Sequence, residues 1–151
     1  MATTPISLKG RALRLLSGRE YSRVELERKL AQFEEEPGAL AKALDDLQAK
    51  GFIDEQRVVE SVLNRRSAKL GAARIRQELQ SKGLAPEAVQ DAVAQMRVTE
   101  VERAREVWRK KFGEPATDAV ARGKHMRFLA SRGFGGDAIR RVVSGNLEDD
   151  A

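Results

Sequence analysis

Apolar residues recur along this chain at three- and four-residue steps, the spacing that lines one face of a helix. Leu8, Ala12, Leu15 and Leu16 predict a first helix over 7–17, ended by Gly18. Ser22 opens a second, because Glu25 stands three residues on and can return a hydrogen bond to the cap's amide. Val24, Leu26, Leu30 and Phe33 form its stripe. Pro37 is placed in the first turn of a third helix, where a missing N–H costs nothing. Ala41, Ala43, Leu44 and Leu47 carry that helix to Gly51, which is expected to stop it in the left-handed region. Asp54 caps the fourth helix, with Ile53 stapled onto Val58, and its buried side is Val58, Val59, Val62 and Leu63.

The remaining elements follow by the same reasoning. A fifth helix covers 72–82, and a sixth starts at Pro86 and runs to Met96 on Ala88, Val89, Ala92 and Val93. Thr99 and Glu102 have capping-box spacing for a seventh, which continues through Val107, Trp108 and Phe112 to Gly113. Helices eight and nine are expected over 118–131 and 137–144. One pattern recurs: Leu26-Glu-Arg-Lys-Leu30, Ile75-Arg-Gln-Glu-Leu79 and His125-Met-Arg-Phe-Leu129, whose closing leucines lie 49 and 50 residues apart. Lys82-Gly83-Leu84 and Arg132-Gly133-Phe134 follow the second and third copies, and then come Val89/Val93 and Ile139/Val143. A period near 50 residues predicts an all-α fold of three tandem three-helix repeats, over 7–53, 54–98 and 99–146, in an elongated, curved array. Residues 147–151 form an acidic tail expected to fray. A single unit of this length is expected to hold little core of its own and to depend on stacking.

Composition agrees with helices: 5% of the 151 residues are aromatic, and Leu, Ala, Val, Glu, Arg and Lys dominate. No apolar run approaches the ~20 residues that span a bilayer, and the first residues lack a secretory signal's charged and apolar regions. These readings predict a soluble, cytoplasmic protein with no membrane contact. Net charge is +5, distributed unevenly. From Arg57 to Lys82 seven basic residues face two acidic ones; from Arg122 to Arg141 six face one. From Met1 to Ile53 the count is nine against eight, nearly neutral. Clustered cations attract polyanions such as nucleic acid.

Catalytic chemistry finds no purchase. Cysteine is absent, which excludes disulfides, thiolate metal sites and cysteine nucleophiles. His125 is the only histidine and takes the place of Ile75 in the repeat, so a structural imidazole is expected, and no metal or cofactor. Asp45-Asp46 and Asp149-Asp150 are adjacent residues, which splay apart on a helix rather than converge. Gly133-Phe-Gly-Gly136 has no preceding strand, no Gly-Lys-Ser/Thr and no completed dinucleotide fingerprint, so it reads as a helix-to-helix turn. Trp108 and Phe112, one turn apart, are expected to pack against the eighth helix rather than stack bases.

Residue by residue the chain resembles the RecX family, regulators of the RecA recombinase. The likeness runs through Ala12-Leu-Arg-Leu-Leu-Ser17, Arg19-Glu-Tyr-Ser-Arg-Val-Glu-Leu-Glu-Arg-Lys-Leu30, Lys50-Gly-Phe-Ile-Asp54 and Arg57. It continues through Arg65, Lys69, Gly71, Arg74-Ile75, Glu78-Leu79, Lys82-Gly83, Lys111-Phe112-Gly113 and Lys124-His-Met-Arg-Phe-Leu129-Ala-Ser-Arg132-Gly-Phe134. Val58-Val59 departs from it, since the family commonly carries an aromatic after that arginine; a packing swap accounts for the change. The resemblance implies a cytosolic, non-enzymatic modulator that binds RecA filaments on DNA and opposes their growth, ATP hydrolysis and strand exchange; a monomer is expected. The basic faces of repeats two and three are the expected contact: Arg65, Arg66, Lys69, Arg74, Arg76 and Lys82, then Lys124, Arg127, Arg132, Arg140 and Arg141. The alternative is direct binding of single- or double-stranded DNA by helix-turn-helix-like units, although no helix shows an Arg/Asn/Gln run suited to reading bases.

Overall fold

A computed structural model describes residues 6–144, and among these every regular element is helical. The helices are α1 (Leu8–Leu16), α2 (Arg23–Leu30), α3 (Ala39–Ala49), α4 (Glu55–Arg66), α5 (Ala72–Ser81), α6 (Pro86–Val98), α7 (Glu100–Lys111), α8 (Ala119–Ser131) and α9 (Gly136–Val143). A single 3₁₀ turn, Ala31–Phe33, extends α2. The acidic tail lies outside the described residues.

Local capping explains most of the boundaries. Ser22 Oγ accepts from Glu25 N at 3.1 Å while Ser22 N donates to Glu25 Oε1 at 3.0 Å, the reciprocal pair expected at the start of α2. Asp54 accepts from Arg57 N at 3.0 Å, and Asp118 accepts from Ala121 N at 2.7 Å. Gly51 closes α3 at φ 83°, and Phe52 N then reaches back to Leu47 O at 2.9 Å.

Three local expectations fail for identifiable reasons. Pro37 lies in the turn before α3, because Glu34 Oε2 reaches forward to Leu40 N at 2.8 Å and caps a helix that starts at Ala39. Thr99 makes no capping bond to the start of α7. With φ −107° and ψ 9° it nearly continues α6 into α7, and its hydroxyl accepts from Arg103 Nε at 3.1 Å instead. Ile53 does not staple to Val58: Ile53 is buried with the first repeat's core and Val58 with the second's.

That division is general. Leu26, Leu30, Leu40, Leu44 and Leu47 form one apolar cluster with Ala12, Tyr21 and Ile53. Val58, Val59, Val62, Ile75, Leu79, Val89 and Val93 lie in a second, so the valine pair at 58–59 is plain core. Trp108, Leu129, Phe134, Ile139 and Val142 lie in a third. Each repeat therefore owns a closed core, contrary to the expectation that stacking supplies the burial. Three amphipathic helices suffice because each sinks its leucines and valines between the other two, at about 1.5–3 kcal/mol per buried side chain. Among helix pairs in substantial contact, only α6 on α7 crosses a repeat boundary. What joins the repeats is polar.

Candidate interface at the repeat junctions

The turn that ends the middle helix of one repeat docks on the start of the middle helix of the repeat before it. At the first junction the Lys82–Gly83 turn sits on the start of α2. Ser22 Oγ donates to Lys82 O at 2.6 Å, and Arg28 donates to Ser81 O at 2.8 Å. At the second junction Arg132–Gly133 sits on the start of α5. Gly71 N donates to Arg132 O at 2.8 Å, Ala73 N to Gly133 O at 3.2 Å, and Arg74 to Ser131 O at 2.9 Å. The docking turns are 50 residues apart and the receiving caps, Ser22 and Gly71, are 49 apart, matching the leucine period. Gly83 (φ 69°) and Gly133 (φ 88°) are required twice over, since each has a left-handed backbone and meets its neighbour where a β-carbon would collide with Val24 or Arg74.

The junctions differ in charge. At the first, Lys82 is buried and its Nζ lies 3.1 Å from Glu25 Oε2. Burial pushes the Glu25 carboxyl upward, but hydrogen bonds from Arg19, Ser22 N and Lys82 outweigh it and hold the group at about 2. The equivalent positions at the second junction are Arg74 and Arg132. An ion pair has become two cations, and both are exposed. They line a cleft of about 460 Å³ together with Arg66, Gln77 and Glu78. Glu78 is the one carboxylate lining it and is engaged by Arg66 Nε at 3.0 Å and Arg65 at 3.5 Å.

Missing its ion pair, the second junction also uses two groups from α7, the buried Glu100 and the half-buried Arg103. Glu100, 6% exposed, accepts from Ala72 N at 2.9 Å and so caps α5, which begins with glycine where α2 has serine. Arg103 donates to Ser67 O at 2.8 Å, Leu70 O at 2.6 Å and Met96 O at 2.8 Å, closing the ends of α4 and α6. Burial lowers the Arg103 pKa and Glu100 opposes that shift. Neither residue is signalled in the sequence, where Glu100 and Arg103 look like ordinary positions on a charged helix.

The predicted site residues thus separate. Arg66, Arg74 and Arg132 converge on the cleft. Arg65 flanks it through Glu78. Lys69, Arg76, Lys124 and Arg127 are exposed. Arg140 and Arg141 sit on α9 beside Asp137, each 3.7 Å away. Lys82 is removed from the surface by its burial against Glu25. His125 is buried; its Nδ1 accepts from Trp108 Nε1 at 3.0 Å and its ring stacks on Phe112 at 3.8 Å. Burial, with Lys124 adding to it, depresses the imidazole pKa and keeps it a neutral acceptor. Among the described residues no group of three or more His, Asp or Glu is placed to hold a metal ion, and no helix is long and apolar enough to cross a membrane.

An all-α array of three-helix units, joined by polar turns and carrying a basic cleft, defines a class of helical-repeat protein. Models of the first, second and third three-helix domains of RecX match residues 9–47, 54–93 and 99–143 in that order. The regulatory protein RecX of Leptothrix cholodnii is 52% identical over 138 residues, covering 91% of this chain and 88% of that protein. That of Herminiimonas arsenicoxydans is 46% identical over 150 residues, covering 99% of each. The crystal structure of RecX from Lactobacillus salivarius superposes with a TM-score of 0.76 at 20% identity, covering 93% of this chain and 95% of that one. Another RecX crystal structure gives 0.73, covering 90% and 70%. The chain belongs to the RecX family of regulatory proteins.

Proposed function

We propose that this protein binds RecA filaments assembled on DNA and inhibits their extension, ATPase activity and strand exchange, as a cytoplasmic, monomeric, non-enzymatic regulator. Family membership supports a regulator. The observation that carries the contact is the exchange of the Glu25–Lys82 pair for Arg74 and Arg132, which opens a cationic cleft at one junction and leaves the other neutralised. A polyanionic filament is drawn to such a cleft, and long-range attraction raises the association rate. Lys69, Arg76, Lys124 and Arg127 extend the positive surface on either side.

The test is RecA's DNA-dependent ATPase with substoichiometric amounts of this protein. Inhibition below one molecule per RecA is expected, since a regulator acting on extension need not coat the filament; no inhibition would sink the reading. Changing Arg65, Arg66 and Lys69 together to Glu should weaken inhibition while preserving helical CD. The exposed arginines also suit a second reading, sequence-independent contact with DNA phosphates. Strong binding to bare DNA with a steep salt slope and no effect on RecA would favour it.

A further inference from the structure

The first repeat is nearly neutral by count, and most of its carboxylates are engaged: Glu20 on Arg57, Glu25 on Arg19 and Lys82, Glu27 and Asp45 on Arg23, Asp46 on Lys9 and Lys50, and Glu34 on the start of α3. A groove of about 340 Å³ runs between α1 and the end of α2, and no carboxylate lines it. Arg11, Arg14, Arg28 and Lys29 do, and Phe33 of the 3₁₀ turn forms part of its wall. Among the described residues Arg11, Arg14 and Lys29 make no ion pair; the Arg11 guanidinium lies 3.7 Å over the Phe33 ring. Phe33 nevertheless remains 38% exposed.

We infer that this groove is a second binding site, separate from the junction cleft, and that its ligand is single-stranded nucleic acid. Cations alone would serve any anion. The aromatic decides the class, because a base stacks on an exposed ring or guanidinium plane while flanking cations take the phosphates. An acidic protein segment would use the cations and leave the exposed part of the ring, beyond the Arg11 guanidinium that covers one face, unmatched. A duplex offers phosphates but no free base face, so it would lack the stacking half of the contact. The volume lies near the lower end of small-ligand sites.

The test uses the full chain without RecA, in the Arg74→Glu/Arg132→Glu background so that the junction cleft is silenced. Fluorescence anisotropy compares oligo(dT) with an abasic oligomer of equal length and charge. Oligo(dT) should bind about tenfold more tightly. Phe33→Ala should erase that preference and Phe33→Trp should keep it, each with helical CD and a cooperative melt retained. Arg11→Glu/Arg14→Glu should weaken both oligomers and reduce the salt slope by more than one unit, at about 0.7 per phosphate contact. Equal affinity for the two oligomers, or a preference that survives Phe33→Ala, overturns the proposal. So does an oligo-glutamate peptide that binds as tightly as oligo(dT), which would assign the groove to an acidic protein segment.

Discussion

The two junctions use one backbone design and opposite electrostatics. In both, carbonyls of a glycine turn accept hydrogen bonds from the start of the preceding repeat's middle helix, and a glycine admits the close approach. The first adds a local capping box and a shielded Glu25–Lys82 pair. The second has neither, and recruits Glu100 and Arg103 from the next repeat. Among the described residues its arginines at 74 and 132 have no carboxylate partner and are exposed, although Arg74 still donates to Ser131 O across the junction. A largely buried ion pair and two exposed cations occupy equivalent positions, and the residue types at those positions decide which is which.

The sharpest way to break the comparison is at the glycines. Gly133→Ala meets the backbone nitrogen and side chain of Arg74, whereas Gly83→Ala meets only the side chain of Val24. Both adopt a strained left-handed backbone, so each should cost about 2 kcal/mol or more. Gly133→Ala should cost more, because a backbone yields less than a valine rotamer; paired urea denaturation curves measure the difference. Glu100→Ala comes next. It orphans the buried amide of Ala72 and should cost about 1–3 kcal/mol at the second junction, visible as faster hydrogen exchange at the start of α5 than at the start of α2.

Acid should act on the first junction. The Glu25 carboxyl is held at about 2 against an ordinary 4.5, so its folded-state pKa is depressed. Its stabilisation is complete above pH 4.5 and drains as pH falls from 4.5 toward 2. With allowance for partial exposure the loss is about 2 kcal/mol, and melting temperatures of Glu25→Gln should lose that part of the acid dependence. The smallest stability effect belongs to Arg74→Glu, which restores at the second junction the charge pattern of the first. The exposed pair contributes less than about 1 kcal/mol and the lost Arg74 donation to Ser131 O costs about as much, so thermal melts of the variant and the parent should lie close together.

Helix number, repeat period and most caps were legible because they rest on contacts local in sequence: three-residue capping spacings, glycine stops and leucines one turn apart. The roles of Lys82, Glu100 and Arg103 were not. Each is fixed by a partner 28 to 57 residues away, and a lysine held by Glu25 has the same sequence signature as one in water. Thr99 misled for a related reason, since a capping box presupposes an extended cap residue and α6 runs almost directly into α7. Charge counted along the chain located the basic stretch of repeat two. It passed over the groove at Arg11 and Arg14, because counting cannot register which face a carboxylate occupies.

The most direct measurement of the central claim is RecA's DNA-dependent ATPase titrated with Arg74→Glu beside the parent chain. The expected result is at least a fivefold rise in the concentration needed for half-inhibition, about 1 kcal/mol, in a variant that melts like its parent. Undiminished inhibition would show that the open charge at the second junction is not where the filament is met.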